Sequence, residues 1–224
     1  MSKEIFIKNL EKIGSKLSDF EEVPNAKNNS KYTILGKGYF GYVEKMKSKK
    51  NNLYYAIKKL DKNNFDLTNF HRETEIMFSL KHENIAKFYG YFEDKENISK
   101  YREIYNDRKN LDNEKSDKTI YCLVLEYVPN GSLNDFLIKN KEFLKNNCIN
   151  ESFIIKIFKQ LLNALIYLYD RSVLHRNLMP NSIMFDENNN IKIIIFGLSA
   201  LYKDNNPENK NKPNYLFGEN TQCG

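Results

Sequence analysis

Residues 32–60 read YTILGKGYFGYVEKMKSKKNNLYYAIKKL. Apolar and polar residues alternate on both sides of a glycine-rich turn, and Asn51-Asn52 mark a second turn before YYAIKKL. The pattern predicts a strand, a glycine turn, a strand and a hairpin partner. Working outward, residues 68–81 (TNFHRETEIMFSLK) change to helical spacing, with Phe70, Met77 and Leu80 on one face and Glu73 between them. An acid on an apolar stripe calls for a cation. Two further strand-like runs, 85–94 and 119–128, flank a charged insertion at about 95–118, whose low apolar content predicts a mobile loop. Upstream, Ile5, Phe6, Leu10, Ile13, Leu17 and Phe20 fit a short amphipathic helix, and residues 21–30 read as a linker.

After Pro129-Asn130-Gly131 the character becomes helical. Ser132 and Asp135 form a capping-box pair, and Phe153, Ile154, Ile157, Phe158, Leu161, Leu162, Leu165 and Ile166 make a long apolar helix face. Strands first and helices second predict an α+β architecture with a sheet-rich and a helical lobe.

Composition excludes several classes. The chain has 224 residues, 41% hydrophobic and 13% aromatic, enough for a real core. Its 35 basic and 29 acidic side chains leave a formal charge of +6, but the lysines are spread among Asn and Glu without a basic and aromatic stripe. No nucleic-acid partner is expected from that pattern. No uninterrupted apolar run of roughly 18 residues and no secretory h-region are visible, so no membrane association is expected. Cys122, Cys148 and Cys223 lack ligand spacing, which predicts no metal site and a reducing, cytoplasmic or nuclear setting.

Gly36, Gly38 and Gly41 form GxGxxG, a weak motif alone because dinucleotide-binding folds share it; there a helix follows, whereas here a strand does. With Val43, with Lys58 in Ala56-Ile57-Lys58 and with Glu73 on the next helix, the set resembles the eukaryotic protein kinases of serine/threonine type, near the Aurora and calcium/calmodulin-dependent branches. The resemblance covers about residues 30–220. It implies a bilobal fold: an antiparallel-sheet N-lobe with one long helix over 31–128, and a partial, mainly helical C-lobe over 129–224 ending in the activation segment, with 1–30 as an N-terminal helix and linker. It also implies ATP as ligand. Gly36, Gly38 and Gly41 would admit the phosphates, and Lys58, oriented by Glu73, would neutralise them. Val43, Ala56 and Met184 would sandwich the adenine, Leu125 would be the gatekeeper, and Glu126 to Val128 the hinge.

The second half of the signature departs from the family. Residues 173–183, VLHRNLMPNSI, align with VLHRDLKPENI, and residues 191–199, IKIIIFGLS, with LKIADFGLS. Asn177 replaces the aspartate that accepts the substrate proton, Met179 the phosphate-steadying lysine, and Ser182 the metal-binding asparagine. Ile195 replaces the aspartate that holds Mg²⁺, a cation that needs oxygen donors. No catalytic residue and no metal ligand are therefore expected at these positions. His175, Phe196, Met77 and Phe88 align with the hydrophobic spine, and Arg176 with the arginine that receives a phosphorylated loop. Residues 213–219, PNYLFGE, resemble the end of an activation segment with Phe217-Gly218 in place of Ala-Pro, and the rest of the helical lobe is expected to be missing.

The expectation is a pseudokinase that binds ATP without productive Mg²⁺ and acts as a binding or regulatory module, with a protein partner at the incomplete helical lobe. One alternative is an atypical serine/threonine kinase using Asp186 or Glu187 as compensating acids, although DENNN at 186–190 reads as a turn. Another is a truncated fragment without function.

Overall fold

The computed structural model describes residues 3–26, 29–38, 41–62, 67–105, 117–140, 150–194, 196 and 199–201. Contacts divide the chain into two compact units, Met1–Leu67 with Phe88–Tyr127, and Thr68–Lys87 with Val128–Gly224.

The first unit is built on a six-stranded antiparallel sheet. Its strands are β1 (Phe20–Glu22), β2 (Thr33–Lys37), β3 (Gly41–Ser48), β4 (Tyr54–Asp61), β5 (Phe88–Asn97) and β6 (Asp117–Glu126), in the order β1-β3-β4-β6-β5, with β2 also on β3. β1 pairs with Met46 to Ser48 and β2 with Tyr42 to Lys45, so the two short strands share one edge of β3. The turn before β4 uses Asn52 at φ 60°, as the Asn-Asn reading requires.

One face of this sheet is closed by helix α1 (Lys3–Ile13). Leu10 and Ile13 join Phe20, Met46, Tyr55, Ile57, Phe92, Ile120, Cys122 and Val124 in a single buried cluster. The amphipathic reading of the N-terminus is thus realised as a helix on the sheet. The stretch read as a linker from residue 21 instead continues a strand into Glu22, because Phe20 stacks on Phe92 at 6.1 Å and meets Tyr55 edge-on at 6.3 Å.

The insertion is also more ordered than its composition suggests. β5 runs to Asn97, helix α3 spans Ile98–Tyr105 and β6 begins at Asp117, leaving residues 106–116 outside the described residues. The loop expectation fails here because a few residues carry the ordering. Ile104 is buried with Tyr32 and Tyr42, and Lys100 reaches Glu44 and Glu22.

The second unit is mainly helical: α2 (Leu67–Ser79), α4 (Leu133–Lys139) and α5 (Glu151–Asp170), with two small hairpin sheets. β8 (Ile183–Phe185) pairs with β9 (Ile191–Ile193), and β7 (Val173–Leu174) with β10 (Ala200–Leu201). The residues after α2 belong here because Ile193 N donates to Asn84 O at 2.8 Å and Ala86 N to Ile193 O at 3.0 Å. The capping box forms: Asp135 N donates to Ser132 Oγ at 3.1 Å and Ser132 N to Asp135 Oδ2 at 2.8 Å. Ile157, Ile183, Phe185 and Ile191 form the core, with Phe136, Phe153 and Leu161 against it. By length and composition α5 could cross a bilayer, but here Ile157, Ala164 and Leu168 are buried, while Ile155, Phe158, Leu162, Ile166 and Tyr169 stand exposed. The apolar face read from sequence is therefore split.

Candidate functional site

The glycines of the turn do different work. A Cβ added at Gly41 would lie 1.9 Å from the carbonyl oxygen of Lys59, so β3 and β4 approach too closely there for any side chain. At Gly36 an added Cβ would meet nothing within 4 Å, and at Gly38 only Gly41 O at 3.7 Å. Among the described residues, packing demands glycine at 41 and makes no such demand at 36 and 38. Gly38 N donates to Gly41 O at 2.8 Å and closes the base of the turn, whose tip, residues 39 and 40, lies outside the described residues.

Below the turn, the register places Val43 opposite Lys58 and Lys58 opposite Leu123, with Ala56 opposite Leu125 one step along. Directly paired residues share a face. On this face Leu123 and Ala56 are buried while Val43, Lys58 and Leu125 are half-buried, whereas Tyr42, Glu44, Ile57 and Val124 on the reverse face are almost wholly enclosed. Lys45, on the same face as Ala56, sits over the rings of Tyr54 and Tyr127 at 4.2 and 4.3 Å. The first unit thus gathers Gly36, Gly38, Gly41, Val43, Ala56, Lys58 and Leu125 on one half-open face. Glu126 ends β6 opposite Tyr55, and Val128, buried, opens the second unit. Glu73 on α2 and Met184 on β8 belong to that second unit, both half-buried.

Period-two alternation sends Lys58 and Lys59 to opposite faces. Lys59, 2% exposed, donates to Glu44 Oε2 at 2.7 Å and Glu96 Oε1 at 2.8 Å, and Tyr42 donates to Glu96 Oε1 at 2.6 Å. Burial by itself disfavours the ammonium, but the two carboxylates outweigh it and hold its pKa above the ordinary 10.5. Burial, then Glu96, pushes the Tyr42 hydroxyl up. No motif marks this network; its only sequence signal is a glutamate on the otherwise closed face of β3.

In the second unit, the loop from His175 to Ser182 is held by the His175 and Ser182 side chains and by backbone bonds to Ile194 and Met179. Arg176 adopts φ 59°, a left-handed conformation rare for a long side chain and common at functional loops. His175, 5% exposed, meets the Phe196 ring at 4.8 Å, edge-on. Its Nε2 lies 2.9 Å from Ile194 O and its Nδ1 accepts from Asn177 N at 3.3 Å. One nitrogen donates and the other accepts, the pattern of a neutral imidazole, and burial lowers its pKa below 6.5. Met77 and Phe88, which the resemblance aligns with the same spine, are buried in their own units.

Asn177 is half-buried and Met179 is 43% exposed. The Ser182 hydroxyl, fully buried, donates to Met179 O and accepts from Met179 N, both at 2.9 Å. Ile195 lies outside the described residues. Asp186 Oδ1 accepts from Asn188 N at 2.9 Å and Asn190 N at 2.8 Å, so it caps the β8–β9 turn, as the DENNN reading expects.

The model of the protein kinase domain matches residues 29–219. The chain belongs to the protein kinase family. It is 32% identical over 170 residues to an Aurora kinase of Yarrowia lipolytica, covering 74% of this chain and 38% of the relative. A probable myosin light chain kinase of Dictyostelium discoideum is 34% identical over 181 residues, 76% of this chain and 31% of its own. Calcium-dependent protein kinase 4 of Plasmodium berghei is 32% identical over 178 residues, 76% and 28% of the two chains. The chain spans about two fifths or less of the curated relatives it matches. The sheet unit and helical unit are thus parts of a bilobal kinase fold, and the glycine turn, Lys58 and the His175 loop all lie within the matched range.

Proposed function

We propose that this kinase domain binds ATP on the half-open face of its sheet without a chain-held magnesium ion, and serves as a binding or regulatory module rather than a phosphotransferase. The observation that carries the reading is the pair Gly36 and Gly38. Among the described residues neither is required by the packing around it, which supports a bare backbone kept for a close approach from outside; the Gly38 amide is itself spent on Gly41 O, so these glycines contribute room for phosphate oxygens rather than a free Gly38 donor. Lys58, two residues from Ala56 on the same face, supplies the positive charge.

The donor set does not fit magnesium. A hard cation needs oxygen ligands, yet the Ser182 hydroxyl is spent within its own loop and position 195 is isoleucine. Asn177 has no useful basicity for the substrate proton, and Met179 has no charge for the transferred phosphate. The exposed apolar stripe of α5 supports the protein-partner part of the reading.

The test is a thermal melt of the purified chain with ATP, in magnesium and separately in a chelator. We expect the same rise in Tm in both, and none in Lys58→Ala. A rise only with magnesium, or an undiminished rise in Lys58→Ala, overturns the reading.

A further inference from the structure

We propose that helix α3 is a latch on the glycine-rich turn, with Tyr105 and Lys37 as positioning residues that hold the turn ready for phosphate. Its consequence for affinity rests on the nucleotide reading above; its geometry does not. The Tyr105 hydroxyl donates to Gly38 O at 2.9 Å, and Lys37 Nζ donates to Ile104 O. The Tyr105 ring meets the Tyr42 ring edge-on at 6.4 Å, and Ile104, 3% exposed, packs in one cluster with Tyr32 and Tyr42. Both arms of the turn, Lys37-Gly38 entering and Tyr42 leaving, are thereby fastened to the last residues of α3.

The helix is itself anchored. Lys100 donates to both Glu44 carboxylate oxygens at 3.1 Å and to Glu22, and Tyr42 reaches Glu96 at the end of β5. Tyr105 and Lys37 fasten the turn from outside, and fixing it before the ligand arrives lowers the ordering cost of binding. The insertion at 95–118, without an assigned role in the sequence reading, thus becomes an input to the nucleotide site.

Tyr105→Phe removes the hydroxyl and keeps the ring packing; Lys37→Met removes the ammonium. Amide hydrogen exchange of the segment 37–43 is measured on the full chain without nucleotide, and ATP affinity by titration in chelator. Each variant is expected to exchange about threefold to tenfold faster in that segment and to bind ATP more weakly by a similar factor, the effect of one ordinary hydrogen bond, with Tm unchanged. Lys58→Ala should lose ATP binding and leave the exchange of the turn as it was. Unchanged exchange in both latch variants overturns the proposal, as does faster exchange with equal or tighter ATP binding. If the unaltered chain binds no ATP, the nucleotide reading falls and the exchange result alone decides the latch.

Discussion

Lys58 and Lys59 are neighbours in sequence with opposite surroundings, one on a half-open face and the other sealed between two glutamates. Replacing Lys59 by Met removes the buried cation between Glu44 and Glu96 and leaves them only the more distant Lys100, at 3.1 and 4.0 Å, so we expect a loss of roughly 3 kcal/mol in urea unfolding. The raised pKa of Lys59 means that its contribution is fully present below about 10.5 and is lost only as pH rises through the higher folded value. Neutral and mildly alkaline buffers should therefore leave it intact. The glycines separate in the same way. Gly41→Ala drives a Cβ into the Lys59 carbonyl and should cost at least about 2 kcal/mol, whereas Gly36→Ala should leave the unfolding midpoint unchanged and weaken ATP binding. A destabilised Gly36→Ala would show that the fold, and not a ligand, requires that glycine.

Among the elements, α5 and the His175 loop show how a one-dimensional pattern divides in three dimensions. Ile157 and Phe158 are adjacent members of one apolar run, yet Ile157 is 7% exposed and Phe158 59%. Ile157→Ala should cost about 2–4 kcal/mol, and Phe158→Ala less than about 1 kcal/mol. Equal losses in denaturant titration would mean that Phe158 is covered in solution. The His175 loop carries an acid sensitivity. Because burial lowers the folded pKa of His175, the neutral ring's contribution is complete above the ordinary 6.5 and is lost as pH falls through the folded value. His82, half-buried beside Tyr167 at 4.8 Å, is lowered by burial in the same direction. The unfolding free energy, and with it Tm, should therefore fall as pH is taken from 7 towards 5, the free energy by up to about 1.4 kcal/mol per pH unit for each histidine. His175→Phe should flatten that slope, and an unchanged slope would remove His175 from the cause.

At the scale of the whole molecule, phosphoryl transfer depends on several groups acting together, so restoring some of them is expected to restore little. Asn177→Asp with Ile195→Asp should give no detectable transfer of labelled phosphate to a generic protein substrate, because Met179 still lacks charge and Ser182 still spends its hydroxyl on Met179. Measurable turnover would make the substituted chain a latent enzyme. The α+β class, the glycine turn, Lys58, the capping box at Ser132 and the Asp186 turn were legible in the residues, because each rests on local spacing or on a short-range hydrogen bond. The resemblance to the kinase motifs pointed to the positions in question, and the identities Asn177, Met179, Ser182 and Ile195 are what the proposal of a binding module is read from. What the tertiary structure decided depends on residues far apart in the chain. It turned part of a polar insertion into a helix through Ile104 and Lys100, and a presumed linker into a strand through Phe20. It enclosed Glu44, Lys59 and Glu96 together, and it separated a glycine that the fold needs from two that it does not. Spacing along a chain gives the direction in which a side chain leaves the backbone, but only the partners brought across the sheet determine whether that side chain meets water, an opposite charge or another strand.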